Sequence, residues 1–291
     1  MAMRLAALAA VMAAILSAAD PALPDRFLMA AISVEPQAWD KASNYQKLER
    51  FAREAAAKGA RLIVTPEGFL EGYVGNENKN PEVTAERYAA IAEPLDGPYV
   101  KRVRALAREL EVHLMLGFAE KRDGKIFNSA VLFDPSGEVA LHYSKSHTAH
   151  DEPFNTKGTA FPVAKTGLGR LGALICYDRR LPETARVLAI GGAQLILVPA
   201  WGSYTELNDA LMRTRAFENG VWVAFVHPHR VLLIDPRGKV VAQNSTEDDE
   251  VVIGEIVLDE RVGAGPVRDR RPEIYDGLLA PPAPDRNVRP H

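Results

Sequence analysis

Cys176 is the only cysteine in a chain of 291 residues, and it closes the apolar run Leu171-Gly-Ala-Leu-Ile-Cys176. Tyr177-Asp-Arg179-Arg180-Leu-Pro-Glu183 follows directly. A thiol at the end of a buried strand rests on a rigid support, and neighbouring Arg or Lys favours its thiolate. Two further residues stand in comparable places. Glu67 follows the apolar run 61–65 and a proline, and Lys145 follows the run 139–143 and a serine. Carboxylate, ammonium and thiol brought to one sheet edge form a chemical set. The carboxylate takes the thiol proton, the thiolate attacks a carbonyl, and the ammonium stabilises the oxyanion. Taken singly, each has a plainer reading: a core thiol, a solvated loop acid and a surface lysine.

The elements that must position these groups read as α/β. Residues 27–34 form a strand apolar on both faces. Ser43-Asn-Tyr-Gln46 has the form of a capping box before a helix with Leu48, Phe51, Ala52 and Ala55 on one face, and Gly59 stops it. The run 61–65 is the next strand, making an opening βαβ unit with parallel strands. Residues 71–98, rich in Gly, Asn and Pro, read as a long surface excursion over the mouth of the site, with a short helix near 85–92. Pro98 opens a helix whose Val100, Val103, Leu106, Ala107 and Leu110 share a face. Strands follow at 113–118, 128–133 and 139–143, with a turn at Asp134-Pro-Ser-Gly137. After Cys176 come a helix over 184–190, a strand over 194–198, a helix over 206–219 and a strand over 221–226. The run 231–243 is a hairpin, and 251–257 is the last strand. The tail from Leu279, rich in Pro and Arg, reads as loose or as lying on a partner subunit.

Composition bounds the function. A net charge of −3 gives no electrostatic reason to expect nucleic acid as a partner. A single cysteine excludes an internal disulfide and any Cys-rich metal site. Met1-Ala-Met-Arg4, the apolar stretch 5–16 and Ser17-Ala-Ala19 before Asp20-Pro21 have the layout of a secretory signal peptide. That reading makes 1–19 a signal and 20–291 one mature domain, with its core over about 27–276 and a tail over 277–291. The protein would be exported, periplasmic or secreted, without a stable membrane anchor once the signal is removed.

The motifs Thr65-Pro-Glu67, Tyr143-Ser-Lys145-Ser-His147, Gly172-Ala-Leu-Ile-Cys176-Tyr-Asp178 and Arg180-Leu-Pro-Glu183 occur in this order. Pro199-Ala-Trp201, Arg215-Ala-Phe-Glu-Asn219 and Arg270-Arg-Pro-Glu-Ile-Tyr275 continue the series. With them the chain resembles the nitrilase, or carbon–nitrogen hydrolase, superfamily over roughly residues 27–276. The resemblance implies an α/β fold, a four-layer αββα sandwich that pairs into homodimers or higher oligomers. It implies hydrolysis through a cysteinyl thioester on a Glu67–Lys145–Cys176 triad, without cofactor or metal. It also implies a second acid between lysine and cysteine, Glu152 or, with a slip of one, Asp151. Lys145 and the backbone N–H of Tyr177 would form the oxyanion hole, and Trp201 would line the acyl pocket. Arg179 and Arg180 are similar to the pair that holds a substrate carboxylate in carbamoylases.

Nitrilases typically follow the nucleophile with Trp-Glu, whereas this chain has Tyr177-Asp178, as in amidase and carbamoylase branches. The expected substrate is therefore a small carboxamide or N-carbamoyl compound. Nitrile hydrolysis, transfer of the acyl group to an amine, and a non-catalytic binding protein of the same fold are the alternatives. A Cys–His hydrolase using His142, His147 or His150 is a rival, but the glycines of a G-x-C-x-G elbow are absent. A metal site from His147, His150 and Asp151, or from His227 and His229, lacks ligand spacing. One departure from the family pattern is Val226-His-Pro-His-Arg-Val231, which shortens a loop near the pocket.

Overall fold

The computed structural model describes residues 25–244, 246, 248–258 and 266–280. Residues 1–19, where a signal peptide is expected, and the tail residues 281–291 lie outside the described residues. Strand β1 (Arg26–Ser33) leads into helix α1 (Lys41–Ala57) and strand β2 (Ala60–Val64), which pairs parallel to β1. Asp40, not Ser43, caps α1: its carboxylate accepts the Ser43 N–H at 2.9 Å, so the helix begins one turn earlier than the capping-box pattern suggests. The face carrying Leu48, Phe51, Ala52 and Ala55 is buried as expected. Past its end Gly59 takes φ +86°, a conformation that glycine adopts without strain.

The chain then builds α2 (Ala85–Ile91), α3 (Pro98–Glu109), β3 (His113–Arg122), β4 (Lys125–Phe133) and β5 (Val139–Ser144). With the last strand of the chain they complete a six-stranded mixed sheet in which β1, β2, β3, β4 and β5 are neighbours in that order. The second half repeats the plan with β6 (Val163–Thr166), β7 (Gly169–Ala173), α4 (Pro182–Ile190), β8 (Leu195–Pro199) and α5 (Glu206–Asn219). Strands β9 (Trp222–His227), β10 (Arg230–Ile234) and β11 (Val240–Gln243) finish a sheet ordered β11-β10-β9-β8-β7-β6, and β12 (Glu250–Val257) returns to the first sheet.

Three apolar clusters make four layers. Met29, Leu62, Val64, Met115 and Leu132 of the first sheet meet Leu171, Leu195, Leu197, Val226 and Leu233 of the second. On the outer face of the first sheet, Ile63, Leu114 and Val131 pack under Leu48 and Phe51 of α1 and Val103 and Leu106 of α3. On the outer face of the second, Ile196, Val223 and Leu232 pack under Leu188 of α4 and Met212 and Ala216 of α5. This is the αββα sandwich. Strands apolar on both faces are required here, because each sheet is covered by helices on one side and by the other sheet on the other.

Two expectations are corrected. The three chemical residues do not lie on one sheet edge: Glu67 follows β2 and Lys145 follows β5 of the first sheet, while Cys176 follows β7 of the second. The active-site edge is built from two sheets face to face. Nor do residues 71–98 begin on the surface. Phe69, Leu70, Glu71, Tyr73 and Val74 are buried, because Glu71 accepts the Ala119 N–H of β3 at 2.9 Å and Tyr73 enters the site. Short α2 lies where a helix was expected.

Candidate active site

Glu67 sits in a turn pressed onto β3. Thr65 Oγ1 accepts the Gly117 N–H at 2.9 Å, and a Cβ on Gly117 would lie 2.3 Å from the Pro66 carbonyl oxygen. The glycine therefore permits the close approach that turns Glu67 inward. Lys145 is placed by backbone pairing: its N–H donates to the Asn128 carbonyl and its carbonyl accepts the Gly158 N–H, both at 2.8 Å. Its side chain has no exposure to solvent. Nζ donates to Glu67 Oε1 at 2.8 Å and to Glu152 Oε1 at 2.5 Å. Between the two acids offered by the sequence, it is Glu152 that meets the lysine. Asp151 borders the same cavity and accepts Asn78 Nδ2 at 3.1 Å.

Electrostatics follow from burial. Desolvation alone would lower the Lys145 pKa, but Glu67, Cys176 and Glu152 together hold it well above the usual lysine range. Burial raises the Glu152 carboxyl to about 7, against the pull of Lys145. One oxygen of each acid, Glu67 Oε2 and Glu152 Oε2, is buried without a donor among the described protein groups.

Cys176 starts a single 3₁₀ turn, Cys176–Arg180, with φ +44° in the left-handed region that non-glycine residues rarely occupy. Asp178 pins this turn. It accepts the Ile175 N–H at 3.1 Å, the Tyr143 hydroxyl at 2.7 Å and the His147 N–H at 2.9 Å. The Cys176 thiol donates to the Trp201 carbonyl at 3.1 Å and receives Arg179 Nη1 at 3.2 Å. Burial pushes the thiol pKa up and Glu67 adds to this, while Lys145 and Arg179 pull it down; the net shift is upward.

The sulfur opens on a cavity of about 430 Å³ whose wall includes Tyr73, Glu152, Tyr177, Arg180 and Trp201. Trp201 stacks on Tyr73 with ring centroids 5.0 Å apart. Tyr177 and Arg180 are exposed at its lip. Arg179 also borders the cavity but is buried, and each of its three nitrogens is engaged. Chemically, a thiol, a buried ammonium and two carboxylates with open lone pairs can support nucleophilic acyl chemistry.

Two of the three rival histidines are engaged elsewhere. His142 meets Glu120 at 2.8 Å and His147 Nδ1 meets Asp178 at 2.9 Å, whereas His150 lines the cavity. His227 accepts the His229 N–H at Nδ1 and faces the Gly202 carbonyl at Nε2; burial lowers its pKa to about 3. The shortened loop is a two-residue turn at Pro228 and His229. His227 and His229 border a second cavity of about 670 Å³ that shares Tyr73 and Trp201 with the first. Among the described residues no three His, Cys, Asp or Glu side chains are grouped to hold a metal ion.

Asn128 and Tyr73 escaped the sequence reading. Asn128 Nδ2 donates to Glu67 Oε1 at 2.8 Å, and the Tyr73 hydroxyl donates to Glu152 Oε1 at 3.3 Å. A polar residue opening the otherwise apolar run 128–133 was the available signal for the first. For Tyr73, in a loop, no periodic signal exists.

The family model for carbon-nitrogen hydrolase matches residues 28–264. The chain belongs to the carbon–nitrogen hydrolase family. It is an enzyme of that family, acting on carbon–nitrogen bonds. Among its relatives is a protein of Pseudomonas protegens described as a hydrolase in the pqqF 5' region, 34% identical over 84% of this chain and 88% of its own length. An N-carbamoylputrescine amidase of Oryza sativa is 29% identical over 82% and 90%. A mutant of the amidase from Nesterenkonia sp. AN1 superposes with a TM-score of 0.72 at 25% identity, covering 87% of this chain and 97% of that one. That structure carries the acetamide moiety of fluoroacetamide covalently added at its active-site cysteine.

Proposed function

We propose that this enzyme hydrolyses the C–N bond of a small carboxamide or N-carbamoyl compound through a thioester on Cys176. The thiol proton passes to Glu67, whose Oε1 is engaged by Lys145 and Asn128 and whose Oε2 is open. The sulfur attacks the carbonyl carbon. The oxyanion is held by Lys145 Nζ and the backbone N–H of Tyr177. Collapse returns the proton from Glu67 to the departing nitrogen, releasing ammonia or an amine and leaving the thioester. Glu67 then deprotonates a water that attacks the thioester, and the thiol reforms as the acid leaves. Glu152 anchors Lys145 and accepts from the substrate nitrogen. The adduct on the cysteine of the Nesterenkonia amidase supports the same role for Cys176.

The observation that carries amide over nitrile is Glu152 Oε2, a buried acceptor of a cavity-lining residue that no described protein group pairs. A carboxamide or carbamoyl group brings an NH₂ that can donate to it. A nitrile brings no donor to offset its burial, at about 1–3 kcal/mol. The test is ammonia release across neutral amides, N-carbamoyl amino acids and nitriles, with intact-mass detection of the acyl adduct. Turnover of amides or carbamoyl compounds with an adduct on Cys176 is expected. Faster turnover of nitriles, or unimpaired turnover by Cys176→Ala, would overturn the reading.

A further inference from the structure

Arg179 poses a problem of charge. The residue is 3% exposed, and its guanidinium is held on every side. Nε donates to Asn208 Oδ1 of α5 at 2.7 Å, Nη2 to the Ser203 carbonyl at 2.9 Å, and Nη1 to Cys176 Sγ at 3.2 Å. The first two acceptors are neutral. No carboxylate stands within ion-pair distance of it among the described residues, unlike Lys145, whose charge is shared between Glu67 and Glu152. A buried guanidinium facing only neutral acceptors is costly, since a charge taken out of water needs a counter-charge as well as hydrogen bonds. The neighbour able to supply it is the sulfur, once its proton has passed to Glu67 and left a thiolate.

We propose that Arg179 is the cation of a buried thiolate–guanidinium pair with Cys176, and so a catalytic residue rather than a grip for a substrate carboxylate. A carboxylate fork needs two parallel N–H groups, and three of the five N–H groups of Arg179, one on each nitrogen, are already committed within a buried guanidinium that lies against the sulfur. The placement is rigid. Buried Arg215 of α5 donates to the Arg179 and Arg180 carbonyls at 3.1 and 3.0 Å, fixing the turn that carries both the sulfur and the guanidinium. The proton balance is simple: the S–H proton moves to Glu67, and the charge left on sulfur is matched by Arg179. The ionisable groups acting on the sulfur are Glu67 after β2, Lys145 after β5, Glu152 beyond it and Arg179 on its own turn; Lys145 and Arg179 are the two that favour the thiolate.

This rests on Cys176 being the nucleophile, and the experiment separates the two claims because alkylation needs no turnover. Iodoacetamide modification of Cys176 is followed by intact mass from pH 6 to 11 in wild type, Arg179→Gln and Arg179→Lys. In Arg179→Gln the midpoint should rise by at least about one pH unit and the rate at pH 7 fall about tenfold, with partial recovery in Arg179→Lys. Asn208→Ala keeps the charge but frees the guanidinium, and should raise the midpoint by a smaller amount. It is the deciding variant if Arg179→Gln does not fold. A purely structural role would lower the melting temperature and leave the alkylation profile superimposable on wild type. That result, in Arg179→Gln or failing that in Asn208→Ala, overturns the proposal. Loss of turnover in Cys176→Ala tests the nucleophile independently.

Discussion

Asn128 Nδ2 donates to Glu67 Oε1 at 2.8 Å. Through its backbone carbonyl the same residue holds the Lys145 N–H, so one strand position sets both the acid and the ammonium. Asn128→Ala keeps the backbone bond and removes the side-chain donor from a buried carboxylate. The loss of about 1.5–3 kcal/mol of charged hydrogen bonding should lower kcat roughly tenfold to a hundredfold. Iodoacetamide modification of Cys176 should change little. Steady-state kinetics on one amide substrate decide it, and activity within twofold of wild type would remove Asn128 from the machinery.

Gly117 and the Glu67 turn make a second, steric test. A methyl at position 117 would meet the Pro66 carbonyl oxygen at 2.3 Å and the Glu67 Cα at 3.1 Å, both on the backbone, where no side chain can swing away. Gly117→Ala should therefore displace Glu67 and cost about 1–3 kcal/mol of stability. Turnover should fall further than the lowered melting temperature accounts for. Gly277→Ala, with nothing near its added methyl, serves as the control. Wild-type kinetics in Gly117→Ala would show that the turn has room to spare.

The legible and illegible parts of this chain divide along physical lines. Helix α5 was readable to the residue because Gly220 ends it at φ +61°, a stop that only a glycine makes without strain. Strand β6 was invisible: Val163-Ala-Lys-Thr166 is four residues long and only partly buried, so it carries no alternation. The capping box at Ser43 misled because Asp40 offers a carboxylate one turn earlier. Residues 71–98 look like a surface excursion by composition, yet Glu71 at their start is met by a backbone donor of β3 and is buried. The motifs marked Glu67, Lys145 and Cys176, but strand patterns say nothing about which strands share a sheet. That the thiol comes from a different sheet, and that Arg179 faces the sulfur, are consequences of packing that periodicity does not encode.

Glu71 links the fold to pH. Burial raises its carboxyl to about 7, well above the ordinary value of 4.5, with the Ala119 N–H pulling the other way. A folded-state pKa above the unfolded one means that its stabilising contribution is complete below about pH 4.5. That contribution is lost as pH rises through 7. The swing is at most about 3 kcal/mol, or roughly 6–12 °C in melting temperature. Glu152, raised to about 7 as well, acts in the same direction. Glu71→Gln retains an acceptor for the Ala119 N–H and has nothing to ionise. Its melting temperature should fall less than that of wild type between pH 5 and 8. Parallel melting curves across that range would show that Glu71 does not ionise in the fold.

With Arg179 proposed as the partner of the sulfur, Arg180 is the residue expected to recognise a substrate carboxylate. Its guanidinium is exposed at the cavity lip, over the Tyr177 ring at 5.6 Å, and its one side-chain hydrogen bond among the described residues is Nη2 to Ser203 Oγ at 3.4 Å. It can therefore leave that contact and turn its fork toward a bound anion. Paired substrates distinguish this role: an N-carbamoyl amino acid and the same compound with its carboxylate converted to a methyl ester. Arg180→Ala should lower kcat/KM on the first by roughly tenfold to a hundredfold, about 1.4–3 kcal/mol of charged hydrogen bonding. On the second it should leave kcat/KM nearly unchanged. Arg179→Ala should depress both substrates alike, because the sulfur is common to both reactions. Equal losses in Arg180→Ala would assign that residue to the fold and make a neutral amide the preferred substrate.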